Sequence, residues 1–269
     1  FFRNGDFRSG YYRDQTFMFA ITKLTVKQFF SGLYANTSFE EEPMSGGRQM
    51  GSHFSSIFVD NKGDFVDLTN QYNISSDISP TSGQMPRLLG LAMASKHFRS
   101  GKFNSNKLSN NGNEIAWGTI GNASTSEGLF FETVNAIGVH QVPAVISIWD
   151  DDYGISVDNS YQTTKLSISE ALKGFQRTKT EKGFEILTVN GWDYPSLIST
   201  YEHANNIARN EHVPVIIHVT ELTQPVGHST SGSHERYKSK DRLEWEKSYD
   251  CNIKTVSYTH LTLPTIFAV

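Results

Sequence analysis

Cysteine is almost absent from this chain. Cys251 is the sole one in 269 residues, so no internal disulfide can form. A reducing compartment, most simply the cytoplasm, is the expected setting. Long apolar runs are missing as well. No stretch approaches the roughly 20 residues that a membrane span needs, and no secretory signal peptide is visible. Excess positive charge is also lacking. The net charge is −4 and no Lys/Arg patch stands out, which argues against a nucleic-acid partner. What remains is the composition of an ordinary soluble domain, 37% apolar and 19% charged. The length suits one large domain or two small ones.

Both ends read oddly. The chain starts at Phe1, without Met, in the turn-like stretch Arg3-Asn4-Gly5-Asp6. Val256 to Thr265 reads Val-Ser-Tyr-Thr-His-Leu-Thr-Leu-Pro-Thr, which fits one reading frame of a transposon adaptor used in sequencing libraries. Residues 256–269 are therefore expected to be a non-native tail, and 1–255 a fragment truncated at both ends. The alternative is a short natural strand segment.

Thr25-Val26-Lys27-Gln28 carries the spacing of a capping box, followed by Phe29, Phe30, Leu33 and Tyr34 on one helical face. A polar, Gly-rich connection then runs from Asn36 to about Asp77, a length usual for functional loops. A helix is expected after Gly83, with Pro86 in its first turn and Leu88, Leu89, Leu91, Ala92, Ser95 and Phe98 along its small and apolar face. Phe103 to Asn113 reads as a surface loop. Beyond Glu114 the pattern becomes regular. Ile115–Ile120, Pro143–Trp149, Glu185–Val189 and Pro214–Thr220 read as buried strands. Ser124-Thr125-Ser126-Glu127 reads as a second capping box opening a helix to Val139, and Asp193 as the cap of a helix to Arg209. Strands alternating with helices predict an α/β fold, a parallel sheet covered by helices on both faces. Ligands in such sheets bind beyond the carboxyl ends of the strands.

Two loops lie at that edge. Gly121-Asn122-Ala123-Ser124 precedes a helix, whose N-terminal N–H groups suit a phosphate. Asp150-Asp151-Asp152-Tyr153-Gly154 follows the next strand. Three adjacent carboxylates repel one another unless solvent or a cation screens them, and Mg²⁺ takes such oxygen ligands together with substrate phosphates. On spacing alone the signal is weak, since aspartates after a strand are more often solvated turn residues.

The stretches Gly121–Gly128 and Asp150–Ser156 resemble the thiamine diphosphate motif of 2-oxo acid dehydrogenase alpha subunits. That motif is a Gly-Asp-Gly or Gly-Glu-Gly loop followed, after a helix and a strand, by Asn-Asn-Gly-Tyr. Ser126-Glu127-Gly128 and Tyr153-Gly154-Ile155-Ser156 match it closely. Asn122 stands where the family has its acidic metal ligand, and Asp151 where it has an asparagine. Carboxylate and amide are thus exchanged, with the same total charge. The resemblance implies Asn122, Asp151 and the Tyr153 main-chain carbonyl as Mg²⁺ ligands, and Gly121, Asn122, Ala123 and Ser124 as the diphosphate loop. Ala123 and Asp152 each replace a glycine. A residue with a side chain is uncomfortable at Asp152 if φ is positive there.

Further segments extend the likeness. Tyr12-Arg13 resembles a pair whose arginine clamps the diphosphate, a role suited to a planar guanidinium; the plainer reading is a surface arginine beside a core tyrosine. Gly47-Arg48-Gln49-Met50 with His53 resembles a family segment whose role the sequence does not assign. Ser79-Pro80-Thr81, then Gln84-Met85-Pro86, resembles the segment lining the thiazolium and pyrimidine rings, which assigns Ser79 and Thr81 to the cofactor. Gly227-His228-Ser229-Thr230-Ser231 resembles the family's Gly-His-Ser loop, making His228 the candidate active-site histidine. Ser229 and Ser231 are possible phosphate acceptors. His234 has no evident role.

The likeness runs from Tyr11 to about Tyr249 and implies the thiamine diphosphate-binding fold, its diphosphate-binding module. The implied activity is oxidative decarboxylation of a 2-oxo acid with thiamine diphosphate and Mg²⁺, and acyl transfer to lipoamide. The implied partners are a beta subunit or fused pyrimidine-binding domain and a lipoyl acyltransferase, in a homo- or hetero-oligomer. The run from Ile120 to Gly128, taken with Trp149 to Tyr153, looks like a bacterial branch in which alpha and beta parts are fused. The fragment alone is expected to be inactive. Two rivals stay open: a degenerate module that only binds a partner, and another thiamine enzyme such as a transketolase.

Overall fold

Two apolar runs decide the middle of the sheet. Ala144–Trp149 (β4) and Val215–Thr220 (β8) pair in parallel, from Val145 against Val215 to Trp149 against Val219. Successive strand residues face opposite sides. Val145, Ile146, Ile148, Val215, Ile216 and Ile217 are nevertheless all buried, so both faces are covered. Glu185–Asn190 (β7) pairs with β8 in parallel. Phe7–Tyr11 (β1) pairs in parallel with Asn73–Ile78 (β2) and with Ala116–Gly121 (β3). The six-stranded sheet has the order β2-β1-β3-β4-β8-β7. Tyr153–Gly154 (β5) and Val157–Asp158 (β6) form a small antiparallel hairpin.

The helices are Gln15–Ala20 (α1), Val26–Leu33 (α2), Gln84–Arg99 (α3), Gly128–His140 (α4), Ile168–Ala171 (α5), Tyr194–Asn206 (α6), Lys240–Ser248 (α7) and Cys251–Ile266 (α8). The computed structural model describes residues 1–48, 53–228 and 234–266, with side chains described as far as 260. Among the described residues no helix is long and apolar enough to cross a membrane. The chain forms two compact units: an amino-terminal one of residues 2–119 with 142–144, and a carboxy-terminal one of residue 1, 120–141 and 145–269.

The Thr25 capping box forms: Thr25 Oγ1 accepts from the Gln28 N–H at 3.2 Å, and Gln28 Oε1 accepts from the Thr25 N–H at 3.0 Å. Phe29 joins the cluster of Met18, Leu24, Phe54 and Ile74, whereas Phe30, Leu33 and Tyr34 remain exposed. Helix α3 buries Met85, Leu88, Ala92 and Ser95. The second capping box does not form. Asn122 is helical in backbone, and Ala123–Ser126 closes as a 3-10 turn in which Thr125 bonds to the Asn122 carbonyl through its N–H (3.0 Å) and its hydroxyl (2.6 Å). Helix α4 therefore starts only at Gly128, and Glu127 caps it without a side-chain bond. Residues 251–266 are helical rather than the short strand that the sequence left open as an alternative.

Strands β1 and β2 carry no hydrophobic signature, and the sequence reading passes over them. They are polar because their inward groups bond to one another. Arg8, 1% exposed, donates to Asp14 at 2.7 Å and to Asp77 at 2.9 Å, with its guanidinium 4.9 Å from the Phe17 ring centroid. Ser9 donates to the Gln84 carbonyl, Ser75 to the Arg8 carbonyl, and Asn73 to the carbonyls of Gly5 and Leu68.

Burial pushes the Asp77 carboxyl up to about 6, against the lowering effect of Arg8. A folded-state value above the ordinary 3.8 means that the fold favours the protonated form. That contribution is complete below about pH 4 and is lost as the pH rises through about 6. Asp77→Asn imitates the protonated form. Its stability relative to the parent, followed by urea unfolding, should climb between pH 4 and 6 and then level off. A pH-independent difference contradicts this account. Arg8→Ala, which strands two buried carboxylates, should cost roughly 3–5 kcal/mol.

Candidate functional site

The two loops singled out in the sequence adjoin. The Asn122 N–H donates to the Trp149 carbonyl at 3.0 Å, joining the end of β3 to the end of β4. Asn122 is buried, and its Nδ2 has no hydrogen-bond partner. A half-turn of the terminal amide exchanges its oxygen and nitrogen. In one orientation it presents an oxygen to a cation and in the other a donor to a phosphate.

The three aspartates have three different environments. Asp150 is a structural group: it accepts from His218 Nε2 at 2.9 Å and from the Asp152 N–H at 2.9 Å, while His218 Nδ1 meets Ser169 Oγ at 3.1 Å. Asp152 stands at φ +67, the left-handed conformation that the glycine replacement made a concern. Its carboxylate pairs with Arg242 Nη1 at 2.6 Å. Asp151 is 8% exposed. It accepts from the Tyr153 N–H at 3.4 Å and has no cation within ion-pair distance among the described residues. Burial pushes its carboxyl up to about 6, opposed by that N–H and by the charge of Lys238.

Residues outside the sequence reading complete this region. Lys238 and Arg242 both donate to Glu246 Oε1, at 2.7 and 2.9 Å, and flank the Tyr153 ring at 5.0 and 5.6 Å. Arg242 Nη2 also donates to the Asp151 carbonyl at 2.9 Å. The sole visible hint was the i,i+4 spacing of Arg242 and Glu246. His218 sat unremarked inside an apolar strand.

The His228 loop reaches the same region. Tyr237 hydrogen-bonds the His228 backbone; burial raises its hydroxyl, and the Asp151 charge raises it further. Gly227 has φ +76, and a Cβ there would come within 2.8 Å of His234 Nδ1, so His234 packs under the loop. Ser229 and Ser231 lie outside the described residues.

The remaining sequence candidates belong to the amino-terminal unit. Tyr12 stacks on His53 at 5.6 Å, and His53 Nε2 meets Ser79 Oγ at 2.6 Å. Arg13 Nε donates to the Tyr12 hydroxyl at 2.9 Å. Thr81 bonds to the hydroxyl of the neighbouring Tyr11, whose ionisation is raised first by burial. Tyr12, Arg13 and Ser79 thus come together, with His53 among them. Arg48 instead turns to the Ser45 carbonyl and the Phe39 ring. Gln49 and Met50 lie outside the described residues.

The family described as "Dehydrogenase E1 component" matches residues 2–259. The chain belongs to the dehydrogenase E1 component family. Its relatives include the 2-oxoisovalerate dehydrogenase subunit alpha of Bacillus subtilis (strain 168), 26% identical over 92% of this chain and 64% of that protein. The mitochondrial 2-oxoisovalerate dehydrogenase subunit alpha 2 of Arabidopsis thaliana is 28% identical over 82% of this chain and 39% of that one. The pyruvate dehydrogenase E1 component subunit alpha of Mycoplasma genitalium is 26% identical over 48% and 34%. The chain therefore spans less than two thirds of these relatives' lengths. A transketolase crystal structure from Campylobacter jejuni covers 66% of this chain and 26% of its own, with TM-score 0.45 and 18% identity, a likeness too loose to bear on function.

Among the described residues no three His, Cys, Asp or Glu side chains cluster as a metal cage. The expected E1-type ligand set contains one carboxylate, one amide and one main-chain carbonyl. Its packing depends on Gly154, where a Cβ would meet the Gln162 side chain and come within 2.8 Å of Ala123 Cβ. Gly154→Ala should lower stability by about 1–3 kcal/mol. Gln162→Ala in the same chain should recover part of it, as read by thermal melting. A neutral Gly154→Ala would show that the two loops are not close-packed.

Proposed function

We propose that this chain is the diphosphate- and Mg²⁺-binding part of the decarboxylating component of a 2-oxo acid dehydrogenase. The observation that carries the reading is the occurrence, on adjoining loops, of the partnerless Asn122 Nδ2 and the buried Asp151 carboxylate, which has no ion pair among the described residues. A buried carboxylate and a free amide suit a hard cation that also binds phosphate. Asp151, Asn122 and the Tyr153 carbonyl would hold Mg²⁺. Gly121, Asn122, Ala123 and Ser124 would meet the diphosphate, but from a 3-10 turn instead of a helix N-terminus. Tyr12, Arg13, Ser79 and Thr81 remain proposed cofactor contacts.

Thiamine diphosphate, when bound, supplies the electron sink that decarboxylation of a 2-oxo acid requires. His228 would hold or pass a proton during acyl transfer to lipoamide. The E1 relatives support a beta subunit or fused pyrimidine-binding domain and a lipoyl acyltransferase as partners. Their names span 2-oxoisovalerate and pyruvate, which leaves the acid unassigned. A cytoplasmic setting belongs to the proposal.

Calorimetric titration with thiamine diphosphate, with and without Mg²⁺, tests this reading. Asp151→Ala should abolish Mg²⁺-dependent binding. Asp150→Asn should lower stability yet leave the ligand in place. The exchange Asn122→Asp with Asp151→Asn keeps the ligand set and should retain binding. A parent chain without Mg²⁺-dependent binding would favour a non-catalytic partner module.

In the enzyme completed with its partner domain, His228→Ala should keep cofactor affinity and lower turnover by roughly 10²–10⁴. Turnover within about threefold of the parent removes His228 from acid–base work. Residues 1–255 alone should release no carbon dioxide from a panel of 2-oxo acids, because the cofactor's activating partner is expected on another domain. Steady turnover by this stretch overturns that expectation.

A further inference from the structure

Asp152 holds φ +67 without being glycine. A residue with a side chain persists in that region only where its surroundings fix it. Here the Asp152 N–H donates to Asp150, the Asn159 N–H donates to the Asp152 carbonyl, and one guanidinium holds the side chain. Arg242 donates Nη1 to the Asp152 carboxylate at 2.6 Å, Nη2 to the Asp151 carbonyl at 2.9 Å and Nε to Glu246 at 2.9 Å. Glu246 sits one turn along α7, fully buried, and also binds Lys238 at 2.7 Å. The guanidinium lies 5.6 Å from the Tyr153 ring centroid on one side and 4.9 Å from that of Trp245 on another. A single side chain therefore grips three consecutive residues, 151 to 153. Two of them are proposed cation ligands.

The ion-paired charges of this cluster balance. Arg242 and Lys238 face Asp152 and Glu246, two cations against two carboxylates. The Asp151 carboxylate is left outside the balance and stays available. A lysine at 242 would not reproduce the grip, since an ammonium lacks the planar fork that reaches a carboxylate and a carbonyl together.

We propose that Arg242 is a positioning residue for the cation site: it locks the Asp151–Tyr153 loop, through Asp152, in the conformation that presents the Asp151 carboxylate and the Tyr153 carbonyl. This rests on the proposed function. Without the clamp the ligands are all still present, but the loop must be ordered by the cation itself, so affinity for Mg²⁺ falls while the number of sites does not.

The test uses the full chain and thiamine diphosphate at fixed concentration, titrated with Mg²⁺ in a calorimeter, with circular dichroism to establish folding. Removal of groups that orient metal ligands commonly weakens metal affinity by about 10–100-fold, and Arg242→Ala should fall in that range, with full binding restored at high Mg²⁺. Arg242→Lys should recover little of the loss; it also serves if the alanine variant does not fold. Asp152→Gly should rescue Arg242→Ala, because glycine takes positive φ unaided. Mg²⁺ affinity within about twofold of the parent in both folded Arg242 variants overturns the clamp, since loss of an orienting group is expected to cost far more. Failure of Asp152→Gly to recover any affinity overturns it too, because Arg242 would then act otherwise than through Asp152. A parent chain that binds no cofactor with Mg²⁺ sinks the functional reading and the clamp with it. A parent that binds while the Arg242 variants bind equally well sinks the clamp alone.

Discussion

A carboxylate does not stay ionised out of water without a partner, and that constraint organises the carboxy-terminal unit. Four acids are buried or half-buried around the end of β4. Asp150 is bonded to His218, Asp152 to Arg242, and Glu246 to both Arg242 and Lys238. Asp151 is the one left with backbone N–H groups and a distant lysine charge. Each of these other three acids has a side-chain partner, although Glu246 Oε2 is left without one. The Asp151 carboxylate and the partnerless Asn122 Nδ2 on the adjoining loop are the observations on which the proposed cation site rests.

The amino-terminal unit obeys the same rule with a different outcome. Arg8 lies between Asp14 and Asp77 and is matched from both sides. The result is a closed polar core, from which strands β1 and β2 hang. Arg8 Nε is left without a partner, and burial pushes the Asp77 carboxyl up to about 6, opposed by Arg8 and reinforced by the Asp14 charge. A buried cluster whose carboxylates are each paired stabilises a fold; one with an unpaired carboxylate is a candidate site.

This difference explains what the sequence could disclose. Strands β4 and β8 were legible because Val145-Ile146 and Val215-Ile216-Ile217 are apolar in an unbroken run. Strands β1 and β2 were not, because Arg8, Ser9, Asn73 and Asp77 are buried by pairing with each other, which periodicity does not register. The loops at Asn122 and Asp151 were legible through their likeness to a family motif. The helix expected from Ser124 was not what formed, since Thr125 prefers the Asn122 carbonyl. Lys238, Arg242 and Glu246 lie on a stretch so rich in charge that it reads as a solvated surface. Their burial follows from contacts some 90 residues away along the chain, as between Arg242 and Asp152. His53 was visible as a residue but not as a role, until its ring was found between Tyr12 and Ser79.

The two glycines missing from the family pattern are each answered locally. The methyl group of Ala123 is accommodated because the residue opposite, Gly154, has none: a Cβ there would lie 2.8 Å from it. The side chain of Asp152 makes positive φ costly, and the same side chain supplies the carboxylate by which Arg242 holds that conformation. In the second case the substitution creates the group that stabilises it. The exchange of Asn122 and Asp151 fits this scheme. Moving the carboxylate to the second loop places it next to a loop backbone gripped by Arg242, on the side where the surrounding charges already cancel. In the proposed cation site the ligand charge is concentrated on one carboxylate, Asp151, so its strength depends on how firmly that residue's loop is held.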